Sequence, residues 1–410
     1  MRIGELILAI LLLILVASLV SSLGPVPLPP VFHDFMSLLV AVFEAFIILV
    51  AILLIVSYVV NLSRSNNSRR SIEARSLNTI NNVRKSSQVN VSSVRDIMLN
   101  LNVLERLIRE RISYYVPARV KGRGLKLKRG IPGLKVNLEG STCYLVGEGS
   151  VSRVYLCVTD DGRKYALKIP KNLDLESIED SSITLDDLVI DKFVREIEVL
   201  KKFNHPCIIK LVDYSVTVPA VLYEFADGLS LSYQVSSGWR PTLRDLLIIL
   251  IQVTDAIRYV HSRGIVHGDL KLGNVLICDG IAKICDFSTV RDLLSSGLGS
   301  SITCTRGYCA PEQLIYDLRR KSIELGLEHK IDIYQIGNIA LALLIGETID
   351  GEERVKMTEF EVLKKVSKIE PIELRDLIIK MLEIDPLKRP SAEEVLKSLV
   401  NIYVKTFGVS

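Results

Sequence analysis

The residues best suited to do chemistry are Asp269, Lys271, Asn274 and Asp286, in the run His267-Gly268-Asp269-Leu270-Lys271-Leu272-Gly273-Asn274 and its continuation to Phe287. Two apolar stretches, Val275-Leu276-Ile277-Cys278 and Ile281-Ala282-Lys283-Ile284-Cys285, flank Asp279-Gly280, a dipeptide suited to the positive φ angles of a two-residue hairpin turn. Closing that hairpin brings Asn274 beside Asp286, so that an amide oxygen and a carboxylate face one point. Oxygen donors grouped in this way suit a hard cation such as Mg²⁺, which takes few protein ligands and completes its shell with water and phosphate. Asp269 is then free to orient a hydroxyl, and Lys271 to meet negative charge.

The elements that must position a reactant for these groups lie upstream. Leu145 to Val158 reads as strand, tight turn, strand, with Gly147, Gly149, Ser150 and Ser152 at the turn. Small residues there let backbone N–H groups approach phosphate oxygens. Asp161-Gly162 makes a second turn, and Lys164-Tyr165-Ala166-Leu167-Lys168-Ile169 a third strand beside the second, which points Lys168 at the same cavity. Asp186 to Phe203 has helical spacing, with Phe193, Ile197 and Leu200 apolar, and Glu196 shares a face with Leu200 four residues on. A carboxylate on an inward apolar face calls for a cation, and Lys168 is the candidate; a solvated Glu196 or Glu198 on a surface face is the alternative. Leu243 to Arg263 is a long helical pattern leading into the catalytic run, with Gly264 as its stop.

The central run resembles the catalytic loop and metal-binding segment of eukaryotic-type protein kinases, H-R-D-L-K-x-x-N and D-F-G, the second standing here as Asp286-Phe287-Ser288. Alone, the block also fits small-molecule phosphotransferases. The Gly147 to Ser152 turn and Lys168 strand resemble the family's glycine-rich loop and V-A-I-K strand, with Ser152 in place of the third glycine and Tyr165 in place of the Val. Thr305-Arg306-Gly307-Tyr308-Cys309-Ala310-Pro311-Glu312 is similar to the end of a protein-kinase activation segment, with Cys304 where the leading Gly stands. Small-molecule phosphotransferases generally lack that end. Asp332-Ile333-Tyr334-Gln335-Ile336-Gly337 resembles the helix whose Asp braces the catalytic loop, and Asp385-Pro386-Leu387-Lys388-Arg389-Pro390 the segment whose Arg pairs with the A-P-E glutamate. A buried Glu312–Arg389 pair is therefore expected.

The resemblance spans about Leu138 to Val404. It implies an α+β, bilobal kinase fold with a β-rich N-lobe and a helical C-lobe, ATP with Mg²⁺ or Mn²⁺ as cofactors, and protein substrates. By the same resemblance Lys168, held by Glu196, grips the α- and β-phosphates, and Asn274 and Asp286 hold metal. Val154 and Ala166 cover one adenine face and Leu276 the other. Tyr223 borders the back of the pocket, and backbone groups of Glu224 and Ala226 meet adenine. Asp269 is implied as the catalytic base and Lys271 as the neutraliser of the γ-phosphate. Lysine two residues after the catalytic Asp is the serine/threonine form of the loop. A nucleotide-binding pseudokinase scaffold and a small-molecule phosphotransferase are the alternative functions. Two departures stand out: Gly268 replaces the arginine before the catalytic Asp, and Ser288 replaces the D-F-G glycine.

The 410 residues carry 51 Lys and Arg against 47 Asp and Glu, a net +4 that gives no reason to expect a nucleic-acid partner. The mean hydropathy of +0.32 owes much to the first sixty or so residues. Ile3 to Leu23 and Met36 to Val60 are each long enough for a helix across about 30 Å of hydrocarbon. The proline-rich Gly24 to Pro30 separates them. Residues 1–62 thus read as a two-helix membrane anchor, with cleavage of the first segment as a signal sequence the alternative. Arg64, Arg69, Arg70, Arg75, Arg84 and Lys85 follow Val60, and the loop before carries neither Lys nor Arg, which puts the remainder in the cytoplasm. Glu44, a carboxylate within the second segment, is given no role. The small anchor and compact domain suit a prokaryotic source.

Residues 63–137 read as a basic linker and an amphipathic helix, followed by the kinase domain at 138–410. Val94, Ile97, Leu101, Leu104 and Ile108 alternate spacings of three and four, which fits either a helix that dimerises the chain or one packed on the following domain. Lys121 to Arg129 reads as a basic loop, solvated or lying on anionic lipid. The seven cysteines lack any C-x-x-C, are odd in number, and are expected to be reduced thiols.

Overall fold

A computed structural model of the chain describes residues 102–120, 123–173, 175, 186–292 and 304–408. The two apolar segments, the Arg-rich linker to residue 101, and Ser295 to Thr303 lie outside the described residues. Among the described residues no helix is long and apolar enough to cross a membrane.

The N-lobe is a six-stranded antiparallel sheet: β1 (Leu125–Lys126), β2 (Thr142–Glu148), β3 (Ser152–Val158), β4 (Lys164–Pro170), β5 (Leu211–Ser215) and β6 (Ala220–Glu224), in the order β1-β2-β3-β4-β6-β5. The register places Lys168 opposite Val154 on one side and Val221 on the other. Because side chains alternate along a strand, Ala166 and Lys168 share a face, while Leu167 and Ile169 turn the other way into a small core with Leu138 and Leu222. One helix, α1 (Asp187–Leu200), packs beside the sheet, capped by Asp186, whose side chain accepts from the Leu188 N–H. It buries Phe193, Glu196, Ile197 and Leu200 and leaves Glu198 exposed, so Glu196 is the inward carboxylate and not a solvated surface one.

The larger lobe holds the short strands β7 (Leu229–Ser230) and β8 (Ile265–Val266), the hairpin β9 (Val275–Cys278) and β10 (Ile281–Ile284), and β11 (Arg291–Asp292). Its helices are α2 (Leu231–Ser236), α3 (Leu243–His261), α4 (Pro311–Leu314), α5 (Tyr316–Glu324), α6 (Lys330–Ile345), α7 (Gly351–Lys356), α8 (Glu359–Val366), α9 (Ile372–Met381) and α10 (Ala392–Phe407). Most of α3 and α6 is buried, as expected of helices apolar on nearly every face. The hairpin has the anticipated register, Cys278 opposite Ile281 and Val275 opposite Ile284, and φ is +52° at Asp279 and +78° at Gly280.

The described residues between 102 and 137 are part of this fold. Residues 102–108 are helical, with Val103 and Leu107 in the C-lobe core and Leu104 and Ile108 packed against it. The Gln252 amide on α3 donates to the carbonyls of Leu107, Ile108 and Glu110 at 3.2, 3.3 and 2.8 Å, which satisfies groups that a helix end leaves without partners. Val116 and the Gln234 amide exchange two hydrogen bonds, and the Trp239 indole donates to the Tyr114 carbonyl at 2.8 Å. The stretch from 102 to 108 thus spends its apolar face within its own domain, so this part of the expected dimer seam is occupied. Farther on, Leu125–Lys126 pairs with β2 and Leu127 is buried, where a basic loop was expected. The Asp213 carboxylate accepts from the N–H groups of Lys135 and Val136 at 2.6 and 2.7 Å. One continuous stretch of chain is therefore fastened first to the C-lobe and then to the N-lobe.

The cysteines correct the expectation of reduced thiols. Cys143 and Cys157, opposite each other on β2 and β3, form one disulfide, and Cys304 and Cys309 a second; Cys207, Cys278 and Cys285 are free. Absence of C-x-x-C excludes one spacing, and it says nothing of pairs that the fold brings together.

Candidate active site

Between the lobes lies a cleft of about 680 Å³. Gly147, Gly149, Ser152, Val154, Ala166, Lys168, Glu196, Tyr223, Glu224, Ala226, Asp269, Lys271, Asn274, Leu276 and Asp286, every site residue expected from the sequence, line it. The turn between β2 and β3 is closed by a hydrogen bond from the Gly149 N–H to the Ser152 carbonyl at 2.8 Å. Its small residues form one wall of the cleft.

Strand β4 and helix α1 bring Lys168 Nζ to 2.7 Å from Glu196 Oε2, and the same amine lies 3.0 Å from Asp286 Oδ1. The second Glu196 oxygen accepts from the Tyr223 hydroxyl at 2.7 Å. Burial favours the neutral amine of Lys168, but the charges of Asp286 and Glu196 outweigh it and hold the ammonium well above the usual lysine range. For Asp286 burial likewise opposes ionisation and is overcome, by the Lys168 charge and by the Ser288 hydroxyl donating at 2.8 Å, so its carboxyl sits below the usual range. Asp286 keeps 35% of its side chain exposed and has φ +62°, a left-handed backbone uncommon for a residue with a Cβ. Phe287, next to it, is buried with its ring centroid 5.3 Å from Phe203 and 5.0 Å from His267. That packing over-determines a backbone turn that is costly by itself.

The loop carrying Asp269 is held from below. Asp332, buried on α6, accepts from the N–H groups of His267 and Gly268 at 3.0 and 2.7 Å and from His261 at 2.8 Å. Burial raises the Asp332 pKa, and the bond and charge of His261, together with His267 and the Gly268 N–H, more than reverse this and leave it below the usual value. Gln335, one turn along, accepts from the Leu270 N–H at 2.8 Å and donates to the Gly268 carbonyl at 2.9 Å; Gln313 donates to the same carbonyl at 2.8 Å. The backbone at Gly268 has φ +78°, a conformation natural to glycine, where the resembling pattern has an arginine. Neither glutamine was singled out from the sequence. For Gln335 the signal was there, since it lies three residues past Asp332 on one helix face.

Around the Asp269 carboxylate, Lys271 Nζ donates to Oδ2 at 2.8 Å, while the Thr305 N–H and hydroxyl donate to Oδ1 at 3.0 and 2.8 Å. Lys271 also reaches the Thr305 hydroxyl at 2.6 Å. The Asn274 amide nitrogen donates to the Asp269 carbonyl at 2.8 Å, so the amide oxygen is the atom that could ligate a metal. An Asn oxygen and an ionised Asp form the hard, sparse donor set that a Mg²⁺ or Mn²⁺ ion carrying phosphate oxygens prefers, so the residues present fit that group. Among the described residues no three His, Cys, Asp or Glu side chains gather into an all-protein metal cage. Behind the site, Arg389 meets Glu312 with two parallel bonds of 2.6 and 2.7 Å, both side chains essentially fully buried, as the sequence led one to expect.

Comparison with known proteins agrees with this geometry. The chain is 31% identical over 217 residues to a protein of Zea mays named as a probable serine/threonine-protein kinase, covering 50% of this chain and 33% of that one. It is 28% identical over 295 residues to a cell cycle serine/threonine-protein kinase of Saccharomyces cerevisiae, covering 68% and 37%. To a meiosis-specific serine/threonine-protein kinase of Schizosaccharomyces pombe it is 29% identical over 269 residues, covering 62% and 57%. The chain thus spans a third to just over half of the length of these relatives. All three are eukaryotic, so they lend no support to a prokaryotic source. The sequence model of the protein kinase domain matches residues 142–400, and with the cleft and its residues in place the chain belongs to the protein kinase domain family.

Proposed function

We propose that the chain is an ATP-dependent protein kinase that transfers the γ-phosphate to serine and threonine hydroxyls of proteins. The observation that carries this reading is the hydrogen-bonded set Asp269, Lys271 and Thr305 facing, across one cleft, the charged set Lys168, Glu196 and Asp286. Transfer of a phosphoryl group needs positioning and charge neutralisation more than covalent help from the protein. Lys168, kept protonated by two carboxylates, supplies a fixed positive charge for the α- and β-phosphates. Asn274 and Asp286 would hold Mg²⁺ or Mn²⁺, which when bound neutralises phosphate charge. Asp269 orients the acceptor hydroxyl and takes its proton, and Lys271 offers positive charge beside the moving phosphoryl group. Thr305 fixes the direction of the Asp269 carboxylate. The preference for serine and threonine rests on Lys271 and on the names of the relatives, and that for a protein substrate on the segment ending in Ala310-Pro311-Glu312.

The reading extends to location. With Ile3 to Leu23 and Met36 to Val60 as membrane helices and cationic residues after Val60, the catalytic domain works at the cytoplasmic face of a bilayer. Any self-association through the Val94 to Ile108 seam would use its portion before residue 102, upstream of the part that is packed on the domain. The test of the activity is incubation of the purified chain with γ-labelled ATP, Mg²⁺ or Mn²⁺ and a generic acceptor protein. Transfer to the acceptor that Asp286→Ala abolishes supports the reading, and equal labelling with both proteins overturns it. Membrane attachment is tested by alkaline extraction: release of the intact chain from the membrane fraction would overturn the anchor.

A further inference from the structure

The second disulfide encloses a residue that the site depends on. Cys304 and Cys309 are joined with their Cα atoms 5.5 Å apart, and Thr305, inside that ring, holds the Asp269 carboxylate through its N–H and its hydroxyl. We propose that the Cys304–Cys309 pair is a redox modification site that sets the activity of the cleft, exchanging electrons with a low-molecular-weight thiol and its disulfide, of which glutathione is one example; this rests on the kinase reading above.

The two sulfurs have different surroundings. Cys309 is buried, its carbonyl accepts from the Gly351 N–H at 2.8 Å, and the next residue is fixed by the bond of 2.9 Å from the Ala310 N–H to the Gln313 side chain. Cys304 is half-buried and lines the catalytic cleft. The disulfide therefore ties the cleft side of the segment to its anchored base. By contrast Cys143 and Cys157 are sealed in the N-lobe, each 1% exposed or less. A dissolved thiol has access to the first pair and is kept from the second, so only the first is fit for exchange.

The exchange balances without any further reactant. A thiolate attacks the Cys304 sulfur and forms a mixed disulfide there, while the Cys304–Cys309 bond breaks and Cys309 leaves as a thiolate that takes up a proton. A second thiolate attacks the mixed disulfide and releases Cys304, so two electrons enter the protein and one low-molecular-weight disulfide is formed. The reverse sequence, with that disulfide as oxidant, restores the ring. In the reduced chain Thr305 is held by hydrogen bonds without the covalent tie. Because small misplacements of a positioning group cost large factors in rate, reduction is expected to lower phosphoryl transfer by about tenfold.

The experiment uses the full chain equilibrated in dithiothreitol or in glutathione disulfide. The state of the pair is read by thiol alkylation and peptide mass, activity by transfer to an acceptor protein, and Thr305 by hydrogen exchange of its N–H. The oxidised chain should be about tenfold more active, with Thr305 protected, and reduction should remove both reversibly. Cys304→Ser with Cys309→Ser should sit at the reduced level under both conditions, whereas Cys143→Ser with Cys157→Ser should keep the response. A reduced pair with unchanged exchange at Thr305, or thiols that never pair in glutathione disulfide, would overturn the proposal. No transfer in either state would sink the kinase reading instead, with exchange at Thr305 still deciding this one.

Discussion

Replacing Glu312 by alanine removes one half of a fully buried ion pair, and the structure sets the size of the effect. Arg389 would lose the two bonds of 2.6 and 2.7 Å and keep those to the carbonyls of Glu383, Lys330 and Ile384 at 2.7, 3.0 and 3.3 Å. Its guanidinium, buried over the Tyr334 ring, would then be a charge with dipoles for company and no counter-ion. Breaking such a pair costs about 3–5 kcal/mol, and the three remaining carbonyl bonds argue for the lower end, about 3 kcal/mol. At a urea slope of about 2–3 kcal/mol per molar, the unfolding midpoint should fall by about 1 to 1.5 M. The chain supplies its own probe, since Trp239 is the sole tryptophan and is buried with its indole bonded to Tyr114. Replacing both partners by methionine should recover at least half of the loss, because neither charge is then left buried. A midpoint lowered by less than about 0.3 M in Glu312→Ala would refute the reasoning and class the pair with exposed ones.

Other consequences can be checked in the same preparations. Tyr223→Phe removes the hydroxyl bonded to Glu196, a hydrogen bond to a charged group worth about 1.5–3 kcal/mol, and should raise KM for ATP by about tenfold or more while leaving the fold intact; unchanged kinetics would show that Glu196 positions Lys168 unaided. Asp286 has a folded pKa below its unfolded one, so its stabilising contribution is full above about pH 4 and is lost as pH falls through the folded value. Asp286→Asn should therefore flatten the fall of the urea midpoint between about pH 4 and 2 relative to the parent chain, and parallel curves would contradict this. With Gly268 in the place of the arginine, a phosphate on Ser295, Ser296, Ser300, Ser301 or Thr303 lacks the guanidinium partner that the resembling pattern offers. Alanine or glutamate at all five should leave the rate within about tenfold, and a larger change would refute it.

Much of the site was legible because its spacings carry geometry. The Asp279-Gly280 turn could close the hairpin in one register only, and that register delivers Asn274 and Asp286 to one place. The four-residue step from Glu196 to Leu200 separated it from the exposed Glu198. What stayed hidden depends on distant surfaces. The apolar seam that runs into residues 102–108 looks the same whether its partner is another chain or α3, and only the complementary Gln252, Trp239 and Gln234 show which. The pairing of Cys143 with Cys157 follows from strand register, which cysteine spacing does not encode. Gln313 meets the Gly268 carbonyl from a different helix than Gln335 does, a contact no local pattern announces.

The most direct measurement is phosphoamino-acid analysis of an acceptor protein labelled from γ-labelled ATP by the parent chain and by Asp269→Asn. Removing a general base costs about 10²–10⁴-fold, so label should appear on serine and threonine with the parent chain and fall by at least a hundredfold in the variant. Label on tyrosine, or equal labelling by both proteins, would contradict the account.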